Sequence, residues 1–234
     1  MAAGERDEEK PFFPRWGRLS YEPPTEDSAA AHDEYLSDPA KPVPHSIKIS
    51  ADPDENWRIE DQRLHATRPD VLTYETAVLD HDVTIAGPVR ASLFVSTSGT
   101  DSDWVVKLID IYPDTEPSVK AEAGELNLAG YQMLVGVQVM RGRYRKSFES
   151  PEAMTPGEAT PISFDILDRF HTFKKGHRIG VQVQSSFFPF IDRNPQTFVD
   201  VYHARPEDYR KATQRVMRSV ALSSHLELPV LETR

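Results

Sequence analysis

The side chains that could carry chemistry in this chain are serines and histidines, because the sequence contains no cysteine. A serine hydrolase usually places its nucleophile on a strained strand-to-helix turn, which leaves the pattern Gly-x-Ser-x-Gly. That pentapeptide does not occur, and none of the eight histidines stands at the His-x-x-x-His spacing that pairs two metal ligands on a helix. We therefore predict no catalytic residue, no metal site and no cofactor in this chain.

Two charged clusters give weaker signals. Asp101 and Asp103 stand in the segment STSGTDSDW, where alternate carboxylates could bind calcium, but the twelve-residue EF-hand pattern is missing. We predict a solvated turn capped by these aspartates. In MRGRYRK, we predict that Arg141, Arg143 and Arg145 share one side of a strand and form an exposed charged face, with a carboxylate-bearing ligand as the alternative.

Composition limits the class of partner. The chain has 234 residues and a net charge of −10, so it has no overall positive field to attract nucleic acid or anionic lipid. It contains no run of 18 apolar residues, and its first ten residues are charged where a signal peptide needs an apolar segment. We expect a soluble protein that binds neither membranes nor nucleic acid. The compartment is left open, with the cytoplasm as the default.

The hydrophobic pattern has the period of two that is typical of β-strands. Val89, Ala91, Leu93 and Val95 are predicted to face the core, as are Ile179, Val181 and Val183, while Arg90, Ser92, Ser96, Arg178, Gln182 and Gln184 face outward. Segment 104–112 is apolar on both faces apart from Lys107 and Asp110, which predicts a central strand with Trp104 in the core. We predict an all-β jelly-roll β-sandwich over residues 15–234, preceded by a flexible tail at residues 1–14. At most one or two short helices are expected, the best candidate being residues 206–211.

The loop SSFFPFIDRNPQTF, residues 185–198, has two interpretations. As a structural plug, its three phenylalanines cover the open end of the sandwich while Asp192 and Arg193 bond nearby backbone and Pro195 restricts Asn194. As a binding tip, the same side chains contact a ligand. We favour the plug, which predicts that Asp192→Ala destabilises the fold by about 1–3 kcal/mol because buried partners lose their hydrogen bonds.

Long collinear segments from about Asp33 to Val230 resemble one protein family. They are DEYLSDPAKPVP (33–44), DQR (61–63), RPDVLTYET (68–76), STSGTDSDWVVKLIDIYPD (96–114), KGHRIGVQVQSSFFPFIDRNPQTF (175–198) and ATQRV (212–216). The chain resembles the C-terminal domain of the Xaa-Pro dipeptidyl-peptidase and cocaine-esterase-like hydrolases, nearest to the α-amino-acid ester hydrolases. The resemblance implies a jelly-roll related to galactose-binding domains, packed on an α/β-hydrolase domain that carries a Ser-Asp-His triad.

In the family the hydrolase domain precedes this domain, whereas only some thirty residues precede the resemblance here. The chain therefore looks like the accessory domain of a serine acyl hydrolase, inactive alone, whose partner is an α/β-hydrolase catalytic domain on a separate or missing part. The resemblance also implies that segment 45–60 helps to wall the substrate pocket. We predict Trp57 as the main contact there, with Ile47 and Ile49 as weaker candidates.

Two alternatives to this interpretation stay open. The chain could be an independent carbohydrate-binding module, which exposed coplanar aromatic rings would support. An apolar patch bearing Phe12, Phe13 and Trp16 would instead support the accessory role. The chain could also be the remnant of a degraded gene, and homo-oligomerisation is left open.

Overall fold

In the computed structural model, residues 2–6, 16–25, 27–28, 31–48, 55–121 and 124–231 are described. The strands are β1 (Ala2–Arg6), β2 (Trp16–Ser20), β3 (His32–Ser37), β4 (Leu72–Glu75), β5 (Val83–Thr97), β6 (Asp103–Ile111), β7 (Val119–Ala121), β8 (Gly124–Leu126), β9 (Gln132–Arg141), β10 (Thr160–Phe173), β11 (Arg178–Gln184), β12 (Ala212–Met217) and β13 (His225–Glu227). One short helix, α1 (Arg63–Ala66), and four 3-10 turns, Glu55–Ile59, Gly142–Tyr144, Val201–His203 and Pro206–Asp208, complete the described elements. The all-β prediction is confirmed.

Hydrogen bonds join eleven strands in the order β3-β12-β5-β13-β1-β2-β4-β11-β6-β9, with β10 paired to β5 and a separate hairpin formed by β7 and β8. Most pairs are antiparallel, and β2 with β4 is the parallel exception. The inward side chains of β5 share one apolar core with those of β6 and β11. The sheet therefore folds over on itself, and the core of the sandwich lies between β5 on one side and β6 and β11 on the other.

The alternation predicted for β5 is confirmed, since Val89, Ala91, Leu93 and Val95 are all buried while Arg90 is exposed. The prediction for β6 is also confirmed, because all nine of its residues are buried. Trp104 is fully buried, as expected. These elements follow the period-two rule, because each strand presents alternate side chains to the shared core.

Two predictions about strand faces are corrected. Gln182 and Gln184 on β11 are expected to face solvent, but both are fully buried, since a second layer of chain covers that side of the sheet. Ser96, expected to face outward on β5, is buried. At residues 206–211, the best helix candidate, the structure has a single 3-10 turn, Pro206–Asp208, which agrees with the short element predicted there.

The N-terminal region is described in part. Ala2–Arg6, which fall within the predicted flexible tail, pair as a strand with β2 and β13. Phe12 and Phe13 lie outside the described residues, so the apolar patch proposed for them is not located. Within the described part of the chain, no helix combines the length and the apolar character needed to cross a membrane.

Candidate functional site

The outer face of the sheet formed by β11, β6 and β9, turned away from the main core, carries the features that the sequence did not predict. Two cross-strand rows of side chains lie on this face, Gln184–Val105–Val139 and Gln182–Lys107–Val137. Neighbours in such rows point to the same side and pack against each other. This side of the sheet is therefore a mixed apolar and polar surface that has to be covered.

A second apolar cluster, separate from the main core, covers the outer face. It consists of Trp57, Val105 and Phe187, which are buried, with the partly buried Leu134, Val137, Val139 and Ile191 packed against them. We call these seven residues the outer cluster. The Trp57 and Phe187 rings meet edge to face at 5.6 Å, and Phe190 lies 5.2 Å from Trp57 and 5.7 Å from Phe187. Edge-to-face and tilted rings at these distances attract each other, so the three aromatics form one unit.

Two chain segments hold the aromatic rings in place. Segment 43–48 meets the loop after β11, where His45 N donates to Phe188 O at 2.8 Å and Ser186 Oγ accepts from Val43 N at 2.8 Å. The Glu60 carboxylate closes the other side, accepting from Ser46 Oγ at 2.7 Å and from Ile47 N at 2.8 Å. These hydrogen bonds hold the two ends of the segment that joins Pro44 to Glu60 in place.

Of the predicted pocket-wall residues, Trp57 and Ile47 are described and Ile49 lies outside the described residues. Trp57 was expected in an open, charged loop, but it sits in a 3-10 turn, Glu55–Ile59, with 9% of its surface exposed. The aromatic contacts with Phe187 and Phe190 explain the burial. Ile47 is 51% exposed, and its backbone N donates to Glu60 Oε2 at 2.8 Å.

An open border surrounds the outer cluster. Phe190 is 58% exposed and Ile59 is 67% exposed, although both adjoin buried members of the cluster. We call Phe190, Ile47 and Ile59 the exposed border. The sequence contains a signal for the outer cluster, because β9 reads QMLVGVQVMR and is apolar on both sides, as a strand with two covered faces would be.

A buried carboxylate network anchors the loop that carries Phe187 and Phe190. Asn194 Nδ2 donates to Asp101 Oδ2 at 3.0 Å and to Asp103 Oδ1 at 2.8 Å, and both aspartates are fully buried. Arg143 Nε donates to Asp101 Oδ2 at 2.7 Å, and Arg143 Nη1 donates to Val199 O at 2.8 Å. We call Asp101, Asp103, Arg143 and Asn194 the carboxylate network.

The carboxylate network corrects two predictions. Asp101 and Asp103 do not cap a solvated turn, because the Asn194 loop folds over them. Arg141, Arg143 and Arg145 do not line one side of a strand, because β9 ends at Arg141 and Gly142–Tyr144 form a 3-10 turn. That turn directs Arg143 inward to Asp101. The two opposite charges are then paired, whereas either charge buried alone would destabilise the fold.

Within this network Asp103 has an unusual environment. Its Oδ2 atom has no hydrogen-bond partner, and Arg141 Nε lies 3.6 Å away. Burial raises the pKa of Asp103 to about 7, although the charge of Arg141 and the Asn194 hydrogen bond act in the opposite direction. Its carboxyl group therefore changes protonation state near neutral pH.

The loop at residues 185–198 combines features of both interpretations. Phe187 is buried as a plug would be, and Arg193 Nη1 donates to Pro39 O at 3.0 Å as predicted. Asp192, however, is exposed, and only its backbone oxygen accepts a hydrogen bond, from Arg141. The predicted role of Asp192 as a buried partner is therefore wrong, and Asn194 fills it.

The chain is similar to known proteins in both sequence and structure. Residues 7–227 match the family model of the X-Pro dipeptidyl-peptidase C-terminal non-catalytic domain. The cocaine esterase of Rhodococcus sp. (strain MB1 Bresler) is 35% identical over 200 residues, which are 86% of this chain and 32% of the esterase. The crystal structure of an aminopeptidase from the marine sediment archaeon Thaumarchaeota archaeon superposes with a TM-score of 0.84 and 40% identity, covering 99% of this chain and 37% of the aminopeptidase. An α-amino acid ester hydrolase gives a TM-score of 0.83 and 44% identity over 92% of this chain and 34% of the hydrolase.

The fold and the outer cluster define an all-β sandwich with a second apolar cluster that is covered on only part of its surface. The chain belongs to the family of X-Pro dipeptidyl-peptidase C-terminal non-catalytic domains, which confirms the resemblance of the sequence to this family. It spans about a third of the length of the relatives that it matches.

Proposed function

We propose that this chain is the accessory β-sandwich of a serine acyl hydrolase and packs on an α/β-hydrolase catalytic domain. The observation that carries the proposal is the outer cluster, whose exposed border leaves apolar side chains in water. Apolar surface that adjoins a buried cluster gains free energy when a partner covers it. The matched relatives are about three times as long as this chain, so a catalytic region is available to cover it in them.

In this proposal, segment 45–60 forms one wall of the substrate pocket. Two polar anchors support it, the Glu60 contacts at its end and the His65 ring, whose Nε2 lies 2.9 Å from Pro44 O. Burial lowers the pKa of His65 to about 3, so this ring is neutral at physiological pH. Trp57 contributes from beneath through its contact with Phe190, and Ile47 contributes directly at the surface. No triad residue is assigned to this chain, and catalysis belongs to the partner.

A matched pair of alanine variants tests the role of the exposed border. Fused in place of the matching third of the archaeal aminopeptidase, the Phe190→Ala chain should lower kcat/KM by about tenfold to a hundredfold, because a well-buried interface aromatic is worth about 2 kcal/mol or more. Phe170→Ala is the control, since Phe170 is 80% exposed on β10, outside the outer cluster. Phe190 is preferred to Trp57 for this test because removing the buried Trp57 would also cost stability.

Equal kcat/KM values for the Phe190→Ala and Phe170→Ala fusions would contradict this role of the exposed border. Thermal melting of each isolated variant serves as the stability control. The melting temperature of Phe170→Ala should stay within about 2 °C of the parent chain. That of Phe190→Ala should fall by only about 2–6 °C, because this variant loses the ring contacts with Trp57 and Phe187 but no buried side chain.

Carbohydrate binding is the second candidate, and one cavity favours it. A cleft of about 360 Å³ lies beside the exposed border and is lined by Tyr144, Phe190 and Tyr202 together with Arg141 and Asp192. Aromatic rings beside charged side chains are a usual set for sugars. Trp57 and Trp104 are buried and do not offer a stacking platform. Line broadening of the Tyr202 ring resonances on adding simple sugars would support this candidate, and unchanged spectra at millimolar sugar would reject it.

A further inference from the structure

Lys107 is a basic side chain enclosed beneath the outer cluster. It is fully buried in the middle of β6, on the same face as Val105. Its Nζ atom donates to Gln62 Oε1 at 2.9 Å and lies 5.0 Å from the centre of the Phe187 ring. One amino group thus contacts both covering segments, the chain before α1 through Gln62 and the loop after β11 through Phe187.

The surroundings of Lys107 contain acceptors but little compensating charge. Gln182 stands directly opposite it on β11, and the buried Oε1 atom of Gln182 has no hydrogen-bond partner. Glu60 is the acidic side chain that favours its charged form, and Glu60 is already bonded to Ser46 and Ile47. Two imidazoles also lie on the covering segment, His65 on α1 and His45 beside the aromatic rings. A fully buried amine with one hydrogen bond costs stability, which demands a compensating role.

We propose that Lys107 is a positioning residue for the exposed border, which its amino group holds in register by fixing Phe187 and Gln62 from beneath. Phe187 contacts Phe190 at 5.7 Å and Trp57 at 5.6 Å, so a displacement of the Phe187 ring displaces both neighbours. Gln62 belongs to the DQR segment that ends the proposed pocket wall, and its backbone N donates to Gln132 O on β9. The inference rests on the proposed function, and it assigns Lys107 no contact with substrate or partner.

The buried amine of Lys107 should make the stability of the fold depend on pH. Burial lowers the pKa of Lys107 to about 7, against 10.5 for the free side chain. Between these two values the unfolded chain binds a proton that the folded chain has released, so the stability of the fold rises as pH increases from about 7 to about 10. Below pH 7 the folded chain holds a buried ammonium, which strengthens the attraction to the Phe187 ring face.

Lys107→Met should therefore separate stability from positioning. The melting temperature at pH 7 should rise by about 5 °C, because an apolar side chain of similar length replaces a buried amine. The rise of stability between pH 7 and 10 should disappear. A role that is merely structural predicts the reverse, a variant that is less stable than the parent chain.

The direct test is a pH titration of this chain followed by NMR. The Lys107 amine nitrogen, the Phe187 ring and the Trp57 indole should share a midpoint near pH 7 in a His45→Gln/Asp103→Asn background, which removes the neighbouring imidazole and the Asp103 carboxyl from the surroundings. Lys107→Met should abolish that shared titration and change the Phe187 and Trp57 shifts. Lys107→Gln, which keeps a donor for Gln62 without a charge, should abolish the titration and change these shifts less.

The effect of Lys107 on the aromatic rings can be measured in the isolated chain, without an active fusion. Phe187 and Trp57 resonances that stay the same in Lys107→Met would overturn the positioning role even if fusions of this chain were fully active. In an active fusion, Lys107→Met should raise KM by about tenfold with kcat little changed, since a displaced pocket wall weakens the binding of substrate and transition state equally. A fall in kcat with KM unchanged would also overturn it.

Discussion

Arg143→Met should lower the free energy of unfolding by about 3–5 kcal/mol, because it leaves the fully buried Asp101 carboxylate without its cation. The guanidinium makes two close contacts with Asp101 Oδ2, at 2.7 Å from Nε and 2.6 Å from Nη2. It also lies 5.0 Å from the Phe198 ring centre, so the variant loses a stacking contact as well. Urea unfolding measured by tryptophan fluorescence gives the free energy directly.

Lys146→Met is the matched control for Arg143→Met. Lys146 pairs with Glu152 at 2.7 Å, but its side chain is 65% exposed, so this ion pair should contribute less than about 1 kcal/mol. An equal decrease in the free energy of unfolding in the two variants would show that the buried ion pair of Arg143 stabilises the fold no more than the exposed pair of Lys146. The double variant Arg143→Met/Asp101→Asn should recover part of the loss, since it removes the unpaired charge.

Asn194→Ala should lower the free energy of unfolding by about 3 kcal/mol, since one amide nitrogen serves two buried carboxylates. The Asn194 Oδ1 atom also accepts from Gln196 N at 2.8 Å, so the variant loses three hydrogen bonds. Asp192→Ala, two residues away, should change the same free energy by less than about 0.5 kcal/mol because Asp192 is exposed. The comparison uses the same urea unfolding experiment. A larger loss in Asp192→Ala than in Asn194→Ala would restore the plug model based on Asp192.

The strands of this fold were predictable from local pattern. Alternation along β5 and the mostly apolar sequence of β6, which Lys107 and Asp110 interrupt, each follow from which faces are covered, and both are readable within nine to fifteen residues. The family was predictable because long segments keep their order along the chain. These properties belong to sequence neighbours or to whole segments, which is why a single sequence shows them.

The site was less predictable because its contacts join distant parts of the chain. Asn194 and Asp101 are separated by 93 positions, and Lys107 and Gln62 by 45. A charged residue in a polar segment is expected to be solvated when its partner is unknown. The sequence alone therefore predicts that Asp101 and Arg143 are both exposed. Trp57 stands out in the sequence as an aromatic residue in a polar segment, but its burial depends on Phe187 and Phe190, which no local pattern links to it.

The central claim, an accessory domain that acts through a catalytic partner, is tested most directly by ester and peptide hydrolysis. The purified chain alone and the same chain fused in place of the matching third of the archaeal aminopeptidase are assayed with p-nitrophenyl acetate and Ala-Pro-p-nitroanilide. We expect no turnover above buffer from the chain alone and measurable turnover from the fusion that falls in Phe190→Ala but not in Phe170→Ala. Turnover by the chain alone, abolished by a serine-directed inhibitor, would contradict the account and place a nucleophile within these 234 residues.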